Sequence, residues 1–150
     1  MIKVLVNGAA GRMGRTVTGL VDADPDMEVA AMVDAYGDPE KGYVNDINDV
    51  GADVDVVIDF SFHTSAPALM DWCVKNGVPA VIATTGHTDE EKQAISEAAE
   101  KVAVFQSANM SVGIALLNRL VKQASEVFPN AEVEIIEAHH DQKADAPSGT

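Results

Sequence analysis

Short apolar runs alternate with amphipathic stretches along this chain, and the alternation restricts the possible folds more than any other feature. Runs rich in β-branched residues predict strands at 2–7, 27–34, 54–60, 78–85 and 102–106. Apolar residues at helical spacing predict helices at 12–23 and 111–128, and a further helix is predicted after residue 60 as far as about 76. Thr88 with Glu91 three residues later predicts a capping box that begins a helix running to about residue 101. Strands joined by helices form right-handed crossovers, which indicates an α/β, doubly wound parallel sheet of the Rossmann type.

A sixth strand is predicted at 131–138, after the long helix. The length of 150 residues suits one domain with a sizeable core and is too short for two ordinary domains. We therefore expect a first domain at 1–110, a connecting helix at 111–130 and the beginning of another domain at 131–150. Apolar residues make up 47% of the chain and aromatic residues 5%, a mix that suits a buried parallel sheet.

The net charge of −14 disfavours nucleic acid and anionic membranes as partners. No apolar run reaches the roughly 18 residues of a membrane span. A single cysteine, Cys73, excludes an internal disulfide framework and fits a reducing compartment, so we expect a cytoplasmic protein. Cys73 itself is predicted to be a packed thiol, because no nearby basic pattern would lower its pKa.

The segment GAAGRMG places Gly8, Gly11 and Gly14 between the first strand and the first helix. Glycines there let the backbone approach a pyrophosphate at the helix N-terminus. The spacing differs from the common G-x-G-x-x-G, but Asp34 follows at the end of the second strand, where a carboxylate can accept hydrogen bonds from a ribose. The pattern predicts a dinucleotide site; the alternative is a helix-capping turn with an exposed Asp34.

Asp34 would repel a 2′-phosphate, and the next residues, Ala35 and Tyr36, offer no cation. NADH is therefore the first choice of cofactor. Arg12 in the loop could still reach a 2′-phosphate, so NADPH stays possible.

Three later strands end in polar residues, at 60–61, 84–86 and 107–109. Ligands of doubly wound sheets lie beyond the carboxyl ends of the strands. Each polar group could simply cap the helix that follows it. Together they favour a lined site on the edge that would carry the cofactor.

Five segments, GAAGRMG, DVVIDFS, ATTG, SANMSVG and EIIEAHHDQKADAPSGT, occur in an order and at distances similar to those of the dihydrodipicolinate reductase family. The resemblance covers the whole chain, and the histidine segment is its most specific part. The loop after Asp34 is shorter than in many members. The chain also ends where the family's substrate-binding and tetramerisation domain, an α+β domain, has just begun.

The resemblance implies NAD(P)H-dependent reduction of 4-hydroxy-tetrahydrodipicolinate in the diaminopimelate route to lysine, by a homotetramer. The implied catalytic residues are His139 as proton donor or acceptor and Lys143 as proton donor. The implied substrate contacts are Thr85, His140, Gly149 and Thr150. The implied cofactor contacts are Gly8, Ala9, Ala10, Gly11, Arg12, Met13, Asp34, Phe60, Ala83, Thr84, Thr85, Ser107, Ala108, Asn109 and Met110.

Elementary chemistry agrees with these roles. Hydride transfer to an unsaturated cyclic dicarboxylate builds negative charge that a lysine ammonium or an imidazole can neutralise and protonate. A metal site at His139 and His140 is disfavoured, since adjacent strand residues point to opposite faces. Two rival classes stay open: another two-domain NAD(P)-dependent dehydrogenase, and a non-enzymatic dinucleotide-sensing module. We expect this sequence to be part of a longer chain, and the 150 residues alone to bind NADH without turnover.

Overall fold

A computed structural model describes residues 1–136 of the chain. Two units are distinguished, Met1–Ser107 and Ala108–Thr150, and each is described by itself.

The first unit is a six-stranded sheet in which all the strands are parallel. Its strands are β1 (Ile2–Asn7), β2 (Met27–Val33), β3 (Tyr43–Val44), β4 (Val56–Asp59), β5 (Ala80–Ile82) and β6 (Val104–Gln106). Its α-helices are α1 (Arg12–Ala23), α2 (Ala66–Asn76) and α3 (Asp89–Ala99), with short 3₁₀ helices at Pro39–Lys41, Ile47–Asp49 and His63–Ser65. The spatial order β3-β2-β1-β4-β5-β6 confirms the predicted doubly wound α/β fold.

Alternation along β1 explains why helices cover both faces of the sheet. Val4 and Val6 belong to one buried cluster, which includes Val21 of α1. Leu5 belongs to the other cluster, which includes Leu69 of α2. Successive strand residues point to opposite faces, so a strand that is apolar throughout needs a helical layer on each side.

The helix boundaries follow from local chemistry. Thr88 and Glu91 form the predicted capping box at the start of α3, each side chain bonding the other residue's backbone N–H. Gly77, at a φ of 68°, ends α2 in the left-handed conformation that glycine adopts without strain. By contrast, Gly11 precedes α1 and supplies no side chain to cap it.

Strand β3 was not predicted. It contains two residues, Tyr43 and Val44, within a polar segment rich in glycine. An alternating pattern cannot be recognised in two residues, so only the pairing with Met32 and Val33 of β2 defines this strand.

The second unit contains α4 (Val112–Val127), which begins at the cap Ser111. The prediction of a strand at 131–138 is wrong for its described part, 131–136, which has no regular secondary structure. A strand requires a neighbour to accept its ladder hydrogen bonds, and residues 108–136 contain no other strand. Across residues 1–136, none of the helices has both the length and the apolar character needed to span a bilayer.

Candidate dinucleotide site

A cleft of about 670 Å³ lies at the carboxyl edge of the sheet. The sheet order reverses between β1 and β4, and a doubly wound sheet binds ligands at such a switch point. Residues from the loops after β1, β2, β3 and β4 line the cleft, among them Gly8, Gly11, Asp34, Tyr36, Asn45, Phe60 and Ser61. The predicted glycine loop and Asp34 therefore meet at one place.

The backbone N–H groups of the glycine loop already have acceptors, most of them at the end of β2. Gly8 and Ala9 both donate to the carbonyl oxygen of Val33, at 2.8 and 3.1 Å. Ala10 donates to Asp34 Oδ2 at 3.0 Å, and Gly11 donates to the carbonyl oxygen of Gly8 at 3.1 Å. Donors for a phosphate must therefore come from the first turn of α1.

Arg12 and Met13 form that first turn. The first N–H groups of an α-helix have no acceptor within the helix, and no side chain among residues 1–136 caps α1. The N-terminal end of a helix also carries a partial positive charge that favours anions. The start of α1 is thus suited to an anion such as a pyrophosphate, and Arg12 and Met13, two of the cofactor contacts that the family resemblance implies, lie there.

Two of the loop glycines are required by close approach of the backbone. A Cβ on Gly14 would overlap the carbonyl oxygen of Gly8, so glycine allows α1 to pack on the loop. Gly8 has a φ of +78°, and a Cβ there would lie 2.5 Å from the carbonyl oxygen of Phe60. Glycine is the residue that meets both demands, the positive φ and the close contact.

The Asp34 carboxylate lies directly beside the loop. Oδ2 accepts from Ala10 N–H, and Oδ1 accepts from the backbone N–H of Tyr36 at 3.0 Å. The backbone of Asp34 is held by Asn45, whose Nδ2 donates to the Asp34 carbonyl oxygen at 2.8 Å. The Asp34 side chain therefore has a fixed position at the end of β2, on the side of the cleft where an adenosine ribose would lie.

A largely buried cluster of polar side chains lies at the ends of β1 and β4, where the glycine loop begins. Asn7 Nδ2 donates to Asp59 Oδ1 at 2.8 Å and to Ser61 Oγ at 3.1 Å. The hydroxyl groups of Ser61 and Ser65 lie 2.7 Å apart. Asp59 is 1% exposed, and its Oδ2 has no hydrogen-bond partner within residues 1–136. These contacts join the ends of β1 and β4 to the start of α2.

The predicted residues of the other half of the site follow β4, β5 and β6. The backbone N–H of Ala83 donates to the carbonyl oxygen of Asp59 at 3.0 Å, and that of Ser107 to Ile82 at 3.1 Å. Thr84 is buried, and its Oγ1 has no partner among the described residues, whereas Thr85 is exposed. The sheet thus brings Phe60, Ala83–Thr85 and Ser107 to one edge.

The remaining predicted contacts belong to the second unit or fall outside the described residues. Ala108, Asn109 and Met110 belong to the second unit, where Asn109 Oδ1 accepts from the backbone N–H of Ser111 at 2.8 Å. His139, His140, Lys143, Gly149 and Thr150 lie outside the described residues.

Sequence reasoning missed three supporting side chains, Asn7, Asn45 and Ser65. The first had a readable signal, since a polar residue at the end of the buried run VLVN stands where the carboxyl edge begins. The other two are placed by tertiary contacts, and the sequence gives no comparable signal for them.

Cys73 has no part in this chemistry. It is 0% exposed, and burial, aided by the charge of Asp59, raises the pKa of its thiol from 9.0 to about 12. The thiolate, which is the reactive form, is thereby disfavoured. Within residues 1–136 no three histidine, cysteine or acidic side chains are grouped so as to hold a metal ion.

These observations fit a dinucleotide. The glycines bring the loop backbone close to the start of α1, where the cap residue Gly11 supplies no side chain, and a carboxylate lies at the neighbouring strand end.

Comparison with known families agrees with this geometry. Residues 2–110 match the family described as "Dihydrodipicolinate reductase, N-terminus", and residues 113–150 match "Dihydrodipicolinate reductase, C-terminus". The chain is 43% identical to the 4-hydroxy-tetrahydrodipicolinate reductase of Caldanaerobacter subterraneus subsp. tengcongensis. That alignment covers 100% of this chain and 60% of the relative, so the chain spans about three fifths of its length.

Solved structures give a similar result. A dipicolinate-bound dihydrodipicolinate reductase from Paenisporosarcina sp. TG-14 matches with a TM-score of 0.79 and 32% identity, over 99% of this chain and 62% of that one. An oxidoreductase from Agrobacterium radiobacter, solved with NAD+, L-tartaric acid and magnesium, matches with a TM-score of 0.64 over 83% of this chain and 41% of that one. At 16% identity, the second likeness shows the fold alone.

Proposed function

Because this chain belongs to the dihydrodipicolinate reductase family, we propose that the protein it forms part of reduces 4-hydroxy-tetrahydrodipicolinate to tetrahydrodipicolinate. The reductant is a nicotinamide dinucleotide, and the reaction is a step of the diaminopimelate route to lysine. The observation that carries the proposal is the glycine loop with Asp34 at its side, in a chain that matches this family from residue 2 to residue 150.

We propose NADH as the preferred cofactor. The support is the Asp34 carboxylate, which lies beside the loop with both oxygens already oriented by backbone N–H groups. A second negative charge from a 2′-phosphate at that place would be repelled. The following residues, Ala35 and Tyr36, carry no positive charge. Arg12 in the glycine segment is therefore the cation that could contact the 2′-phosphate of NADPH.

The roles of the remaining residues follow the family resemblance. The first turn of α1 binds the pyrophosphate, and Phe60, Ala83–Thr85 and Ser107–Met110 receive the nicotinamide half. When bound, the reduced nicotinamide supplies a hydride. Lys143 or His139 delivers the proton that accompanies the hydride to the substrate, since both groups can be protonated near neutral pH, and the 4-hydroxyl group of the substrate leaves as water.

The substrate class is a cyclic dicarboxylate. The Paenisporosarcina reductase was solved with dipicolinate bound, and dipicolinate is a planar dicarboxylate. In this chain Thr85, His140, Gly149 and Thr150 are the proposed substrate contacts. At a net charge of −14 the protein requires such local donors to hold a dianion.

We further propose that the full-length protein is a cytoplasmic homotetramer. Support comes from the second unit, in which Leu116, Leu117 and Leu120 of α4 are each more than half exposed, at 56%, 53% and 52%. Apolar side chains clustered on one helix are typical of surfaces that become covered on assembly. Sedimentation analysis of the full-length protein tests this.

The activity is tested in the full-length protein by following NADH oxidation with 4-hydroxy-tetrahydrodipicolinate and inhibition by pyridine-2,6-dicarboxylate. Lys143→Ala should lower kcat by about 10²–10⁴-fold, the usual contribution of a positioned proton donor, with little change in NADH affinity. Reduction of NAD+ by an amino acid instead would favour another two-domain dehydrogenase. Tight NADH binding without turnover of any dicarboxylate would favour a dinucleotide sensor.

A further inference from the structure

A histidine and a glutamate join two loops at the carboxyl edge of the sheet. His63 lies in the 3₁₀ helix after β4, and Glu91 lies in the first turn of α3, after β5. His63 Nδ1 is 2.8 Å from Glu91 Oε2 and 3.0 Å from Oε1. An ionised carboxylate only accepts hydrogen bonds, so Nδ1 carries the proton in this contact.

The same carboxylate also holds the start of α3. Glu91 Oε2 accepts from the backbone N–H of Thr88 at 2.8 Å, and Thr88 Oγ1 accepts from the backbone N–H of Glu91 at 3.3 Å. The hydrogen bond from the Thr88 backbone and the bond from His63, with the charges of His63 and His87, lower the pKa of Glu91 despite its burial. A capping box needs one N–H at this glutamate, and here a histidine from another loop is added.

The imidazole ring also lies against the loop that precedes α3. Gly86 has a φ of +83°, and the position that a Cβ would take there is 3.9 Å from His63 Cδ2. His63 is partly exposed, with a quarter of its side chain accessible, whereas Glu91 is 11% accessible. The turn at Thr85–Gly86 is thus bounded by the ring on one side and ends in the capping box that the ring supports.

The His63–Glu91 contact lies at the carboxyl edge of the sheet, and this position indicates a role in cofactor binding. A dinucleotide whose pyrophosphate lies at the start of α1 and whose adenosine ribose lies at Asp34 extends across β1 and β2 on that side. The nicotinamide half must therefore extend over the carboxyl ends of β4 and β5, where the loops that carry Phe60 and residues 83–86 begin. His63 and Glu91 connect those two loops.

We propose that His63 is a positioning residue for the nicotinamide half of the site, fixing the Ala83–Gly86 loop through Glu91 and Thr88. The inference rests on the proposed function, since it assumes that the cleft binds a nicotinamide dinucleotide. His63 itself is not assigned a contact with the cofactor.

The test compares two ligands on the full-length protein. NADH carries both halves of the dinucleotide, whereas ADP carries the adenosine and pyrophosphate and lacks the nicotinamide riboside. For His63→Ala we expect NADH affinity to fall about tenfold, as for the loss of a hydrogen bond to a charged group. ADP affinity should change by less than about twofold, because its contacts are on independent residues.

Three further variants complete the experiment. His63→Asn keeps an N–H donor near Nδ1 and should restore most of the NADH affinity. Glu91→Gln can still cap α3 but offers a single acceptor oxygen, so it should resemble His63→Ala. Lys92→Ala removes an exposed ion pair with Asp89 on the same helix and should leave both affinities unchanged.

The outcomes separate this proposal from the proposed function. If the unmodified protein binds NADH no more tightly than it binds ADP, the proposed function itself is wrong. If the unmodified chain binds NADH well and His63→Ala weakens NADH and ADP equally, His63 has only a general structural role. Unchanged NADH affinity in both His63→Ala and Glu91→Gln would also overturn the inference.

Discussion

The backbone N–H of Ala10 donates to the Asp34 carboxylate at 3.0 Å, joining the glycine loop after β1 to the end of β2. This contact fixes the Asp34 carboxylate, the proposed ribose acceptor, beside the glycine loop. On that proposal, Asp34 determines the choice of cofactor.

Replacing Asp34 with Ala should weaken NADH much more than NADPH. The ribose acceptor is lost, which costs about 1.5–3 kcal/mol, while the repulsion of a 2′-phosphate is relieved. Titration of both cofactors measures the difference. Asp38→Ala, which removes an exposed carboxylate whose Oδ1 caps the nearby 3₁₀ helix, serves as the control and should affect both cofactors alike. Equal losses for the two cofactors in Asp34→Ala would contradict the assignment.

Gly14→Ala should destabilise the fold and disrupt the glycine loop, since the added Cβ would overlap the carbonyl oxygen of Gly8. A cost of about 3 kcal/mol is expected for a clash of this kind in a packed contact. Gly19 lies in the same helix with open space around it, so Gly19→Ala should stabilise α1 by about 0.5–1 kcal/mol. Urea denaturation with NADH titration distinguishes them; two variants of equal stability would refute the role of Gly14.

Alkaline conditions should destabilise the chain partly through Cys73. Its pKa is raised from 9.0 to about 12 in the folded state, so the unfolded thiol ionises first. The contribution is fully present below pH 9.0 and is lost as pH rises toward about 12. The slope from this group approaches 1.4 kcal/mol per pH unit, as an order of magnitude. Cys73→Ala should therefore show a shallower decline of the unfolding free energy; an identical decline would count against the buried neutral thiol.

Acid should weaken the chain in part through Glu91. Its pKa is lowered from 4.5 by the Thr88 backbone and by His63, so the folded state favours the ionised form. The stabilisation is present above pH 4.5 and is lost as pH falls through the lowered pKa. Glu91→Gln should flatten the acid side of the stability curve, measured by denaturant unfolding. The matched control is Glu97→Gln at an exposed position of α3, and equal flattening in both would show that Glu91 is not distinctive.

Strong local patterns explain how much of the fold and site the sequence could predict. The buried run of β1, the helical spacing of α1 and the Thr88–Glu91 box each carry their signal within a few residues. The His63–Glu91 contact joins residues 28 positions apart, so no local pattern announces it. The strand expected at 131–138 was wrong over 131–136 because strand-like composition does not supply a neighbouring strand.

The hydrogen bonds that hold the glycine loop to itself and to the end of β2 affect the thermodynamics of binding. Gly8, Ala9, Ala10 and Gly11 each have an acceptor within the first unit, so the loop holds its shape without a ligand. Its conformational entropy is lost when the chain folds rather than when the dinucleotide arrives. The favourable interaction between the helix N-terminus and the phosphate then contributes to the binding free energy without an opposing cost of ordering the backbone. This is the advantage of a preorganised receptor.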